Sequence, residues 1–167
     1  MTEGLRQVKT ALADTLESAG LCTVAAFSPT AARRYRQPVA AIGLRTGESR
    51  GGAMGSYLGL KTGTDGTTRE LYGMKLEMKL SVDLYAPAES GAEGCDQALE
   101  TVHHALLYGL PSGLKPTALL WEELGWDEAS SMFLRKGTLS CDAFFTAEKS
   151  EDAVWLRDFI LRGVLTK

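Results

Sequence analysis

"YGMKLEMKLSVDLY", residues Tyr72 to Tyr85, decides the fold: its even positions, Tyr72, Met74, Leu76, Met78, Leu80, Val82 and Leu84, are all apolar. Its odd positions, apart from Gly73 and Tyr85, are polar. Alternation with period two puts one set of side chains on each face of a β-strand. A common strand has about 5–6 residues, whereas this one reaches about 45 Å at a rise of about 3.3 Å per residue. Such a strand is longer than the core expected of a 167-residue chain, which raises the question of what covers the rest of its apolar face.

Working outward, Leu5, Val8, Leu12, Leu16 and Ala19 recur at helical spacing, and Gly20 is a natural stop, so a helix is expected from about Thr2 to Ala19. "CTVAAF" (Cys22 to Phe27) and "VAAIGLR" (Val39 to Arg45) read as strands, and "SPTAARRYRQP" between them reads as a loop. From Gly47 to Gly66 the text becomes "GESRGGAMGSYLGLKTGTDG", with seven glycines in twenty residues and no apolar period. It is expected to be a long, mobile loop, although the long strand can begin inside it.

Beyond the strand, "YAPAESGAEG" is a turn, and Leu99, Val102, Leu106 and Leu110 mark a helix over Cys95 to Tyr108, closed by Gly109 and Pro111. "TALLWEELGWD" suggests a strand, and Ser131 to Glu148 a second long one able to pair with the first. In it Leu139, Cys141, Ala143 and Phe145 alternate with Thr138, Ser140, Asp142 and Phe144. The tail is open between one helix capped by Ser150 and a short helix followed by an edge strand "FILRGVL", the second being favoured. The expected fold is α+β: a mainly antiparallel sheet with a long β-hairpin, flanked by an N-terminal helix and a central helix. One domain over 1–167 is expected, with a Gly-rich loop at 46–70.

A formal charge of −3, from 18 Lys+Arg and 21 Asp+Glu, gives no general basic excess for gripping nucleic acid. Cys22, Cys95 and Cys141 lack disulfide or zinc spacing, which points to a reducing compartment. "MTEGLRQVK" has no apolar signal core and no run approaches a membrane span, so a cytosolic, soluble chain without membrane contact is expected.

No motif assembles into chemistry, so neither enzymatic activity nor a cofactor or metal is expected. Adjacent helix residues His103 and His104 point about 100° apart and cannot share an ion, and Glu100 with His103 lacks the second E-x-x-H of a di-iron site. Lys61-Thr62-Gly63 copies a β-lactamase triplet without its S-x-x-K and S-D-N partners. "GSYLGLKT" misses the P-loop spacing. Cys95 and His103 lie two helical turns apart, too far for proton transfer, and Glu122 and Glu123 would face opposite sides of a strand. "ARRYRQP" sets Arg33, Arg34 and Arg36 around Tyr35, either a solvated loop or an interface anchor.

Taken together, the N-terminal helix, "QPVAAIGLR", a Gly-rich insertion, a long strand ending "VDLYAPAESG" and the helix "GCDQALETVHHAL" resemble the tail terminator proteins of long-tailed bacteriophages. These are also called tail completion or collar proteins, and they occur in contractile phage-like particles too. The resemblance runs from Leu5 to about Glu148 and lies in layout rather than signature residues. It implies a structural protein of the virion neck, assembled in the bacterial host cytoplasm. Its ring, usually a hexamer, caps the tail tube, stops its polymerisation and meets head-completion or connector proteins, with sheath as a further partner in contractile tails. DNA would pass through as cargo.

The residues themselves also favour association, because a long amphipathic ribbon needs cover and open strand edges invite pairing. Met74, Leu76, Met78 and Leu80, with Phe133, Leu139 and Phe145, are candidates for core and subunit interface combined. Arg33, Arg34, Tyr35, Arg36, Tyr57 and Lys61 are further interface candidates. Met78→Lys is accordingly expected to harm ring formation more than the fold. The alternatives are another neck component, such as a head-completion or tube protein, or a small anion-binding domain or enzyme with a glycine lid, using Arg33, Lys61 or Arg69.

Overall fold

The computed structural model describes residues 2–51, 57–110, 114–149 and 160–161. In chain order these hold α1 (Thr2–Ser18), β1 (Cys22–Val24), a 3-10 turn (Pro29–Arg34), β2 (Val39–Gly51), β3 (Tyr57–Thr62) and β4 (Thr68–Pro87). A second 3-10 turn (Ala88–Ser90), α2 (Gly91–Tyr108), β5 (Leu114–Trp121), β6 (Gly125–Asp127), β7 (Met132–Arg135), β8 (Gly137–Lys149) and β9 (Ile160–Leu161) follow. The fold is α+β with a mainly antiparallel sheet and two helices, as the alternation implies.

β4 is the spine. One edge carries β3 along Thr68–Tyr72 and β2 along Met74–Tyr85; the other carries β8 along Glu70–Ser81 and β7 along Leu84–Pro87. β1 joins β2 in parallel, β6 joins β7, and β5 and β9 join β8. At one end the lateral order is therefore β1-β2-β4-β7-β6.

Leu76, Met78, Leu80, Val82 and Leu84 form the dry face of β4 and join one core with Val8, Leu12 and Leu16 of α1 and Ala98, Val102 and Ala105 of α2. Leu139, Cys141 and Ala143 of β8 and Leu114 of β5 complete it. Of the candidates for core and subunit interface combined, Leu76, Met78, Leu80 and Leu139 are buried within the monomer beneath its own helices, which places these four in the core. Phe133 is half-buried and meets Trp126 edge-on at 5.1 Å between ring centres. The side chains of Met74 and Phe145 lie outside the described ones.

The helix ends follow sequence rules. Gly20 adopts φ +90°, its N–H donates to the Glu17 carbonyl at 2.9 Å, and Leu21 N–H donates to the Leu16 carbonyl at 3.0 Å. This left-handed stop brings backbone donors to carbonyls of the last turn of α1.

Four boundaries differ from expectation. Most of the described glycine-rich stretch is strand: β2 runs on to Gly51, β3 begins at Tyr57, and a tight turn over 63–67 leads into β4. Its tip is tied by Asp65, whose carboxylate accepts from Thr67 N–H at 3.1 Å and from the Thr67 hydroxyl at 2.7 Å. Residues 52–56 lie outside the described ones. β1 stops at Val24, and a 3-10 turn occupies part of the expected loop after it.

The expected strand Ser131 to Glu148 is two strands broken at Lys136, because β4 exchanges β8 for β7 beyond Ser81. Likewise "TALLWEELGWD" divides into β5 and β6, with Glu122 and Glu123 in the connection between them rather than on two faces of a strand. In the tail, Ile160 and Leu161 pair with β8; the helix expected from Ser150 lies outside the described residues.

Cys95 and Cys141 are fully buried, and burial pushes their thiols up to about 11 and about 12 respectively from an ordinary value of 9.0. Cys22 is exposed. Iodoacetamide at pH 8 is expected to label Cys22 alone in the native protein and all three cysteines after denaturation, read by mass spectrometry. Because the folded pKa values are raised, the unfolded chain loses these protons first. The stability that these two thiols contribute is therefore present below about pH 9 and is lost as pH rises toward 11 and 12. Cys141→Ala should flatten that decline in denaturant titrations.

Candidate functional site

Among the described residues no group of three or more His, Cys, Asp or Glu side chains is placed to hold a metal ion. His103 accepts a hydrogen bond at its Nε2 from the Trp121 indole N–H at 3.1 Å, which ties α2 to β5. Cys95 faces the Leu84 and Phe133 carbonyls, 3.8 and 3.7 Å away, rather than any histidine. Polar and aromatic side chains instead gather on four surfaces.

The first is the border beside β1. Pro29 starts the 3-10 turn that carries Arg33 and Arg34, and Tyr35 and Arg36 follow it. Phe27 stacks on Tyr85 at 3.6 Å with 5° between the planes, and Tyr35 lies 6.0 Å from Phe27. These contacts strap 27–35 across the sheet face that carries Tyr85, opposite the helices. Burial, then the charges of Asp83 and Asp127, push the Tyr85 hydroxyl above its ordinary value. Between the strap, the end of α1 and β1 is a cavity of about 470 Å³ lined by Glu17, Leu21, Cys22, Arg34, Tyr35 and Arg36, among others. Arg36 reaches Glu89 at 3.8 Å with both side chains largely in solvent, and Glu17 accepts from the Thr23 hydroxyl at 2.6 Å.

The second is the charged face of the ribbon. Lys75 bridges Asp142 at 2.9 Å and Glu77 at 3.0 Å, and these two bonds, Asp142 first, raise its pKa. The register sets Glu48 opposite Glu77 and Glu77 opposite Asp142, so Lys75 relieves a cross-strand row of like charge. Arg45 and Asp83 make a similar bridge at 3.1 Å.

The third is the β3–β4 hairpin. Tyr57 and Tyr72 meet edge-on at 5.6 Å, and the Tyr72 hydroxyl donates to Glu70 at 2.6 Å. That bond to a carboxylate raises the Tyr72 pKa, whereas the bonds from Thr67 hold Asp65 below its ordinary value. Leu60 is 66% exposed, and Lys61 stands opposite Arg69 in the register. Tyr57 and Lys61 are thus grouped, but β4 separates them from the arginine turn: Tyr72 and Tyr85 lie about 40 Å apart along the strand. Arg33 therefore shares no site with Lys61 and Arg69.

The fourth is the border beside β6, which sequence reading missed. Four acids fall within 122–128, and Glu122, Glu123 and Glu128 are exposed there around Trp126, itself 49% exposed. Asp127 turns inward to accept from Ser130 N–H at 3.2 Å. The signal was the composition of "WEELGWDE"; treating it as one strand hid it. No helix among the described residues is long and apolar enough to cross a membrane. No protein-family model matches the chain, and no curated protein matches it.

Proposed function

We propose that the protein is a structural ring subunit of a phage tail: a tail terminator that assembles, as a hexamer, on the head-proximal end of the tail tube. It stops tube growth and presents the surface to which head-completion proteins attach, with sheath as an additional partner in a contractile tail. The observation that carries this reading is the spine strand of 20 residues, of which Thr68–Lys75 precede the helix-covered core. That part of β4 and β3 form a hairpin with exposed Tyr57, Leu60, Arg69 and Glu70. This arm, to which β8 adds on the other edge of β4, suits contact with a neighbouring protein because it carries Tyr57 and Leu60 in the open. Segregated charge at the two lateral borders adds to it.

The test is mass photometry of the purified protein, alone and mixed with tail tubes of the phage that encodes it, followed by electron microscopy. Rings at one tube end are expected. A particle that stays monomeric in both conditions overturns the reading, and tails of normal length after deletion of the gene would overturn the terminating role.

A further inference from the structure

The two borders of the five-stranded end differ in charge and in shape. Beside β1 lie Arg33, Arg34 and Arg36 and the cavity of about 470 Å³. Beside β6, four strand spacings or about 20 Å away across the sheet, lie exposed Glu122, Glu123 and Glu128 and the half-exposed ring of Trp126. Three cations with a hollow, beside Glu17 and Glu89, therefore stand at one border, and three acids with an aromatic knob, beside Lys136, at the other.

We propose that in the ring the β6 border of each copy docks on the β1 border of the next, with Trp126 seated in the cavity against Leu21, Cys22 and Tyr35. Glu122, Glu123 and Glu128 then face Arg33, Arg34 and Arg36. This rests on the ring reading above and assigns its seam.

The occupant follows from complementarity. In a chain of net charge −3, a local cluster of arginines calls for an acidic partner, and the same chain carries one. Tryptophan is a favoured interface anchor because it buries about 150–250 Å² at low entropic cost. Its Phe133 neighbour holds it edge-on, so it is already oriented before docking. Opposite placement matters as much as charge: patches at opposite borders cannot both be covered by one partner docked edge to edge at a single border. The contact is heterologous and repeats from copy to copy, closing where the rotation allows. Rim charges set orientation and encounter rate, and the seated ring sets the lifetime.

The test compares association of wild type, Trp126→Ala, Arg34→Glu/Arg36→Glu, Glu122→Arg/Glu123→Arg and the combined four-site variant, by mass photometry with tail tubes present. Trp126→Ala is expected to weaken association roughly 30-fold or more, as loss of an interface anchor does. Each charge-reversed pair should lose the ring, and the combined variant should regain it, since both sides of every seam are then exchanged. A second measurement uses Cys22, which lines the cavity. Trp126→Cys, oxidised with diamide at a protein concentration more than about 30-fold above that needed for wild-type rings, to offset the lost anchor, should give a covalent ladder of oligomers that Cys22→Ser abolishes; absence of that ladder overturns the seam even if another variant misfolds. Rings that survive Trp126→Ala and both charge reversals place the seam elsewhere and leave the ring reading standing. A wild-type monomer beside tail tubes overturns both.

Discussion

Met78→Lys is expected to prevent the monomer from folding, so that circular dichroism shows no cooperative melt near the wild-type temperature. Met78 is 3% exposed, in the middle of β4, with Gly47 of β2 and Cys141 of β8 as its cross-strand partners. An ammonium placed among Leu12, Leu80, Val102 and the other apolar members of that core meets no buried carboxylate among the described residues: Glu77, Asp83 and Asp142 are on the opposite face of the sheet. Burying an unpaired charge costs several kcal/mol even after relaxation, a large part of the 5–15 kcal/mol that holds a typical domain together. Met78→Leu, which keeps volume and polarity, should cost less than about 1.5 kcal/mol. A folded Met78→Lys protein that merely fails to form rings would instead put this side chain at a seam.

That expectation reverses what the sequence suggests, and the reason is physical. Alternation reports that one face of β4 is dry; it is silent on whether helices of the same chain or a neighbour keep it dry. α2 shows a related limit. Leu99, Val102, Leu106 and Leu110 look like its buried stripe, but Cys95, Ala98, Val102 and Ala105 are the deeply buried residues, while Leu99 and Leu106 are half-buried. Small side chains let the helix approach: a Cβ on Gly94 would lie 3.2 Å from that of Ala86. Hydropathy gives most weight to the largest residues, and close packing selects the smallest.

The glycine-rich stretch failed for the opposite reason. Side-chain period is the signal for a strand, and glycines erase it, yet the backbone ladders of Glu48 with Glu77, and of Lys61 with Arg69, need no side chains. Gly59, at φ +132°, falls where the β3–β4 register shifts, a bulge position that favours glycine. Of the surfaces, the arginine turn was legible from composition alone. The acidic border was not, because its meaning depends on lying across the sheet from the arginines, and lateral order is a property of topology.

Gly137→Ala is expected to destabilise the fold by about 2–3 kcal/mol, the range for forcing atoms into a filled core, which lowers the melting temperature by roughly 5–10 °C for a chain of this size. Gly137 opens β8 where β4 changes partners. Its N–H donates to the Asp83 carboxylate at 3.2 Å, and that carboxylate also bridges Arg45. A Cβ there would lie 2.6 Å from the Val82 carbonyl oxygen and 2.7 Å from Cε3 of Trp121. The Val82 backbone has little room to retreat, because it pairs with Ile42 of β2 on one edge and its neighbour Ser81 pairs with Thr138 of β8 on the other, and Trp121 is held by its own bond to His103. The glycine is thus required for space rather than for an unusual backbone angle. Urea titration of Gly137→Ala, Trp121→Leu and the double variant separates the two obstacles. Partial rescue by Trp121→Leu is expected, with a coupling of about 0.5–3 kcal/mol as for residues in direct contact. A Gly137→Ala protein within about 0.5 kcal/mol of wild type, the range of inert surface changes, would mean that the β7–β8 break can open without cost and that β4 is free to slide between its two partners.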